Sequence, residues 1–177
     1  MKKTLAIILM LCMLLFCSAC GNQSVSVIGG ADDPKSIIVS ENSNDDADTL
    51  SVSISIDCIN LLNNIDDAKQ GVADIIPQDG IILSQTDVTV IEGSSVYEVL
   101  QSVCNQNNII IDTSFTAGIS TAYVRGIANI YEFDCGNLSG WQYLVNGQSP
   151  NIGCGSYYVK PNDKIEFRYT CNMGKDV

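Results

Sequence analysis

Eight cysteines, 20 carboxylates and not one histidine bound the chemistry open to this 177-residue chain. Without an imidazole to accept a proton, Ser-His-Asp and Cys-His nucleophile pairs are excluded. His-ligated metal sites go with them. No G-x-S-x-G elbow, Gly-rich phosphate loop or convincing carboxylate pair takes their place. The chain therefore reads as a binder or scaffold, not an enzyme. Asp112, Glu132, Asp134 and Asp163 could offer oxygen ligands to Ca²⁺ or Mg²⁺, but no D-x-[DN]-x-[DN]-G loop is present. Solvated carboxylates are the better reading, a divalent-cation module the alternative, and no residue is assigned to a metal. A cysteine-only zinc site needs paired C-x₂-C spacings, and the single such spacing, Cys17-Ser18-Ala19-Cys20, straddles a cleavage signal. A formal net charge of −11 argues against nucleic acid, whose phosphates require Lys and Arg.

The aromatic residues are the other candidates. Trp141, Tyr143 and Val145 share one strand parity. Core packing is the commoner fate of such rings. The segment that follows, Asn146-Gly147-Gln148-Ser149-Pro150-Asn151, is a loop tip able to present amides and carbonyls, and loops on a rigid scaffold commonly carry sites. The candidate ligand-binding residues are therefore Trp141, Tyr143, Asn146, Gly147, Pro150 and Asn151, with the tip favoured over Trp141 for direct contact.

Three kinds of segment must position these residues. Lys2 and Lys3 precede an apolar run from Leu5 to Phe16, a signal-peptide pattern too short to span a bilayer. Ser18-Ala19-Cys20 resembles a bacterial lipobox, with Cys17 where Leu is usual. Residues 1–19 are thus expected to be a cleaved signal and Cys20 to carry lipid. Cleavage removes two Lys and no acid, which deepens the negative charge by two. Attachment would then rest on the lipid alone, since a diacyl anchor supplies the two chains that stable attachment needs. Residues 20–49 are rich in Ser, Asn, Asp and Gly and hold no aromatic residue. Such a segment cannot bury enough apolar surface to offset its own ordering, and reads as an acidic tether, with Ile37-Ile38-Val39 as a transient strand.

The folded domain is expected over residues 50–177. Val52, Ile54, Ile56 and Cys58 alternate with polar residues, a strand with one buried face. Ile59, Leu62 and Ile65 follow at helical spacing. Asp79-Gly80 marks a turn, and Thr86–Glu92 reads as a second strand. Ser95-Val96-Tyr97-Glu98 is a capping box opening a helix whose Val96, Val99, Leu100 and Val103 share a face. Ile109–Ile111 reads as a short buried strand, and Ala122–Ile127 and Tyr157–Val159 as further strands. Trp141–Gln148 reads as a hairpin, because Asn146-Gly147 suits a type I′ turn. Ile165, Phe167 and Tyr169 alternate in the last strand. The sum is α+β: a sheet with one main helix on a face, short hairpins and loop insertions.

The run Gly140–Gly147, then Pro150-Asn151, Tyr157 and Pro161–Tyr169, resembles the transcobalamin C-terminal-like domain, and Val90–Leu100 fits that family's strand-then-helix opening. Phe167 stands where the family often has Trp, and Asn162 where it often has Gly. The resemblance covers about residues 50–172. It implies a β-grasp-like mixed sheet whose first and last strands are parallel neighbours. It also implies a small-molecule ligand, cobalamin or another corrinoid, although this chain has no room for the helical domain that holds the second face of cobalamin in the vertebrate carriers. In that implied arrangement Cys58 pairs with Cys171, and Cys135 pairs with Cys154 across the hairpin base. Cys104 is left as a buried free thiol. The resulting expectation is a lipid-anchored protein on the extracytoplasmic face of a cell membrane that binds a small molecule. The alternative is a structural or protein-interaction domain at the cell surface.

Overall fold

Alternation in sequence becomes a two-faced strand at the centre of the molecule. In the computed structural model, which describes residues 37–38, 48–115 and 122–177, strand β2 (Thr49–Asp57) buries Leu50, Val52, Ile54 and Ile56 and turns its serines outward. The expected leader, Cys20 and most of the acidic tether lie outside the described residues. The edge strand β1 (Ile37–Ile38) runs parallel to β3 (Ile81–Ile91). β3 is antiparallel to β2, with Val52 opposite Val88. On its other side β2 runs parallel to β8 (Lys164–Thr170), placing Ile54 opposite Ile165 and Ile56 opposite Phe167. β7 (Gly140–Val145) closes the sheet antiparallel to β8, giving the order β1-β3-β2-β8-β7. This is the mixed sheet with parallel first and last domain strands that the resemblance implied.

The outward face of the sheet is polar. Glu166 accepts from Arg168 at 2.8 Å and pairs with Lys164 at 3.3 Å, and Arg168 reaches Asp57 at 3.5 Å. The inward face meets a helix. After the short helix α1 (Ile59–Asn63) and two single turns, α2 (Val96–Gln106) buries Val96, Val99, Leu100, Val103 and Cys104 against Ile54, Ile165 and Phe167. A second antiparallel sheet of β4 (Ile111–Phe115), β5 (Ala122–Ile127) and β6 (Ile130–Tyr131) adds Ala122, Val124 and Ile127 to the same core. Gly126 in β5 leaves room for the Tyr131 ring, which a Cβ there would meet at 2.7 Å. Among the described residues no helix is long and apolar enough to cross a membrane.

Four local expectations differ from the structure. α1 buries Leu61, while Ile59 is largely exposed, because the helix ends after little more than a turn and packs on Tyr169 through Leu61. Ile109–Ile111 is not a buried strand. Ile110 is exposed, and the strand starts at Ile111, beyond the left-handed turn at Asn108. Tyr157–Val159 makes a single bridge, Ser95 to Tyr158, and no continuous strand. Trp141–Gln148 is a strand and a tight turn, since Val145 bridges Gln148 and the chain then leaves the sheet; the partner of β7 is β8. The turn itself is as expected, with Asn146 and Gly147 both at positive φ.

The capping box of α2 is complete. The Ser95 hydroxyl accepts from the Glu98 amide, and a Glu98 carboxylate oxygen accepts from the Ser95 amide at 2.7 Å and from its hydroxyl at 2.8 Å. Ser95→Ala is expected to lower stability by about 1 kcal/mol. The readout is a reduced urea midpoint at constant m-value; an unchanged midpoint would show that the cap does not hold this helix.

Candidate functional site

Tyr169 is the penultimate residue of β8, its side chain wholly buried, and its hydroxyl organises the loop before β7. It donates to the Tyr131 carbonyl at 2.7 Å, accepts from the Asp134 amide at 3.1 Å and lies 3.0 Å from the Ser139 hydroxyl. Burial pushes its pKa up to about 12, so the hydroxyl keeps its proton. Asp134 ties the same loop further: its carboxylate accepts from the Tyr131 amide at 2.7 Å and pairs with Lys69 at 3.3 Å. Around Tyr169 lies a core separate from that of α2, made of Cys58, Leu61, Val72, Ile130 and Cys135.

On top of this second core sits an open hollow of about 430 Å³. Trp141 contributes its floor: the indole donates to the Ile130 carbonyl at 2.9 Å and meets Tyr169 edge-on at 5.4 Å. One rim is the loop carrying Phe133 and Leu138, and the other is the chain after β8 carrying Met173. The rims are joined by the Met173 amide, which donates to the Leu138 carbonyl at 2.8 Å. The second rim is shaped by Thr170, whose hydroxyl oxygen accepts from Gly174 at 2.7 Å and donates to Asp176. Phe133, Leu138 and Met173 are all exposed, Met173 by 69 %. Phe133 also holds φ at +67°, a left-handed conformation that is costly for a bulky residue and concentrates at functional positions.

A smaller hollow of about 150 Å³ adjoins the first, and both are lined by Tyr123 and Trp141. Tyr143 and Phe167 stack beneath it at 6.0 Å, and Tyr143 donates to the Ile152 carbonyl at 2.6 Å. Tyr123 donates to Glu132 at 2.5 Å, and this bond, followed by burial, pushes its pKa up to about 12. Burial does the same for Tyr143. Both phenols therefore stay neutral, and the hollows present aromatic faces with few charges.

The structure thus divides the expected ligand residues. Trp141 and Tyr143 line the hollows. The tip lines neither: the Asn146 amide donates to Asp163 at 2.8 Å and its oxygen accepts from the Lys164 amide at 2.9 Å, so this side chain fastens the turn to β8. Asn151 is exposed and Pro150 half-buried. The carboxylates considered as ligands have separate partners: Asp112 holds Arg125, Glu132 holds Tyr123, Asp134 holds Lys69, and Asp163 holds Asn146 and the Lys160 amide. Among the described residues no three His, Cys, Asp or Glu side chains gather as a metal site. Tyr123, Phe133, Leu138 and Met173 escape a reading of sequence, because they sit on different elements and only exposure marks them.

Cys58, Cys104, Cys135, Cys154 and Cys171 are all thiols in the structure. Cys135 and Cys154 lie in different cores, and Cys154 donates to the Ala122 carbonyl at 3.4 Å. Cys58 shares the second core with Cys171, but its charged neighbours are Asp57 and Asp79, and burial pushes it up to about 12. Cys104 is buried in the main core and is likewise pushed up to about 12.

Removing the Tyr169 hydroxyl would take its partner from the Tyr131 carbonyl and the Ser139 hydroxyl and leave the Asp134 amide only its 3.2 Å bond to the Tyr131 carbonyl. Tyr169→Phe is expected to destabilise by about 1–3 kcal/mol and to speed hydrogen exchange at Asp134 ahead of the α2 core. A variant as stable and as protected as the parent would show that this network does not hold the loop.

No curated protein matches the chain. Among solved structures, haptocorrin in complex with Cbi shares the fold, at 20 % identity and a TM-score of 0.50 over 73 % of this chain; the chain spans only 26 % of haptocorrin's length. A provisionally named metal binding protein from Ruminococcus gnavus superposes over 68 % of this chain and 96 % of its own, at 12 % identity and a TM-score of 0.39. Residues 93–171, from the turn before α2 to the end of β8, match the family described as a domain of unknown function (DUF4430), which together with the haptocorrin fold supports the resemblance to the transcobalamin C-terminal-like family.

Proposed function

We propose that this domain is a ligand-binding module that takes one apolar face of a small molecule, a corrinoid being the first candidate, in the hollow over Trp141. The observation that carries this is the concavity itself: about 430 Å³, floored by an indole, rimmed by exposed Phe133, Leu138 and Met173, and held open by backbone hydrogen bonds. It is too open to enclose a ligand and suited to covering one side of it. The haptocorrin likeness supports the corrinoid candidate through the fold only. The absence of His supports binding over catalysis. A second reading, a protein-interaction domain, draws on the same exposed apolar rim.

Trp141 is the single tryptophan, so its fluorescence reports the floor of the hollow directly. Titration with cobinamide and cobalamin is expected to quench it saturably, and Leu138→Arg to weaken binding tenfold or more. No quench and no thermal shift up to about 1 mM, where binding free energy falls to about −4 kcal/mol, overturns the corrinoid reading.

We further propose that Cys20 bears the lipid that holds the protein at the extracytoplasmic face of the membrane. The basic start, the short apolar run and Ser18-Ala19-Cys20 support it. Cys20→Ala is expected to abolish fatty-acid labelling and move the protein from the detergent phase to the aqueous phase. Unchanged labelling and partition would refute lipidation at this residue.

A further inference from the structure

The second core brings together two cysteines that stand 36 positions apart and belong to opposite rims of the hollow. Cys135 lies in the loop between Phe133 and Leu138. Cys171 directly follows Thr170 and precedes Met173. Each thiol donates to a carbonyl at α1 or its cap: Cys171 to Asn60, in the first turn, at 3.6 Å and Cys135 to Asn64, the C-cap, at 3.6 Å. The two acceptor residues are themselves linked, the Asn64 side-chain amide donating to the Asn60 carbonyl at 2.7 Å, so both thiols dock on one short stretch of chain. Burial, and after it the neighbouring Cys135 thiol, holds Cys171 above the usual thiol range. Of the partners expected for them, Cys154 lies in the other core and Cys58 in this one.

We propose that Cys135 and Cys171 are a redox pair that closes to an intramolecular disulfide, on the geometry of two thiols docked on the linked carbonyls of Asn60 and Asn64 in one core. The oxidant is a small-molecule or protein disulfide. Cys171 is the more exposed of the two and reacts first, slowly, because burial holds its pKa up and keeps its thiolate fraction small. Its thiolate attacks one sulfur of the external disulfide and expels a thiol, leaving a mixed disulfide at Cys171. The Cys135 thiolate then attacks the Cys171 sulfur and expels the second thiol. One external S–S bond and two protein S–H bonds are lost; one internal S–S bond and two external S–H bonds form. Oxidation thus joins covalently the two rims that the Met173–Leu138 hydrogen bond also links.

The test is peptide mapping of the full chain after equilibration with oxidised glutathione, with free thiols alkylated before trypsin digestion. The expected product is residues 126–164 joined to residues 169–175, lighter by two hydrogens than the sum of the two peptides. It survives in Cys58→Ala and Cys154→Ala and is lost in Cys135→Ser. Fragmentation of the wild-type product assigns the bond to Cys135 or Cys154 without relying on the folding of any variant. Alkylated Cys171 after oxidation, a bond from Cys171 to residues 36–69, or fragments placing the bond on Cys154 would each overturn the proposal. None of these outcomes depends on whether the hollow binds a corrinoid.

Discussion

The parallel pairing of β2 with β8 is the constraint on which the other elements depend. It sets Ile54 beside Ile165 and Ile56 beside Phe167, residues more than a hundred positions apart. A parallel pair cannot be joined by a tight turn and needs a long crossover. Here the crossover is most of the domain: β3, α2, the second sheet and β7 all lie between the two strands. Closing so long a loop is costly in entropy before any contact forms. What offsets it is burial: the shared inward face of the pair, covered by Val99, Leu100 and Val103 of α2, forms the main apolar core. The outward face explains the polar parity, because Glu166 there is held between Lys164 and Arg168 and avoids being a lone buried charge.

Extending β8 to Tyr169 links this sheet to the site. The residue is one parity step beyond Phe167 and therefore points inward, yet it lies past the end of the α2 core. Its ring needs a second apolar surround, which α1 and Ile130 provide, and its hydroxyl needs partners, which the loop at Tyr131 and Asp134 provides. The loop is thereby pulled over Tyr169 and raises Phe133 and Leu138 beside Trp141. A hollow with an aromatic floor is the consequence of burying one tyrosine at a strand end.

Much of this fold is legible in sequence wherever a local pattern has a single physical solution. The alternation over Val52–Ile56 has only one burial pattern as a strand, Ser95-to-Glu98 has one capping geometry, and Asn146-Gly147 tolerates the positive φ that its turn demands. Patterns with several solutions mislead. The spacing of Ile59, Leu62 and Ile65 suits a helix face, but a helix this short takes its orientation from what it packs on, and Leu61 is the residue that reaches Tyr169. Ile109–Ile111 is apolar enough for a core strand, yet after the turn at Asn108 Ile110 faces out and only Ile109 and Ile111 pack partly against the core. Trp141 and Tyr143 are recognisable as aromatic residues of one parity; that they are half-buried, with one edge on the hollow, depends on neighbours from β5 and the chain end.

The sequence by itself determined the kinds of chemistry available: no imidazole, abundant solvated carboxylate, an aromatic strand and more cysteines than a leader and a lipid would use. It also determined the α+β class, because strand and helix periodicities are local properties of a chain. The tertiary structure alone decided which of these residues meet. Tyr123, Phe133, Trp141 and Met173 come from four separate segments, and Cys135 and Cys171 dock on the carbonyls of Asn64 and Asn60. Such meetings follow from how β8 is threaded against β2, and non-local pairing leaves no periodic trace in sequence.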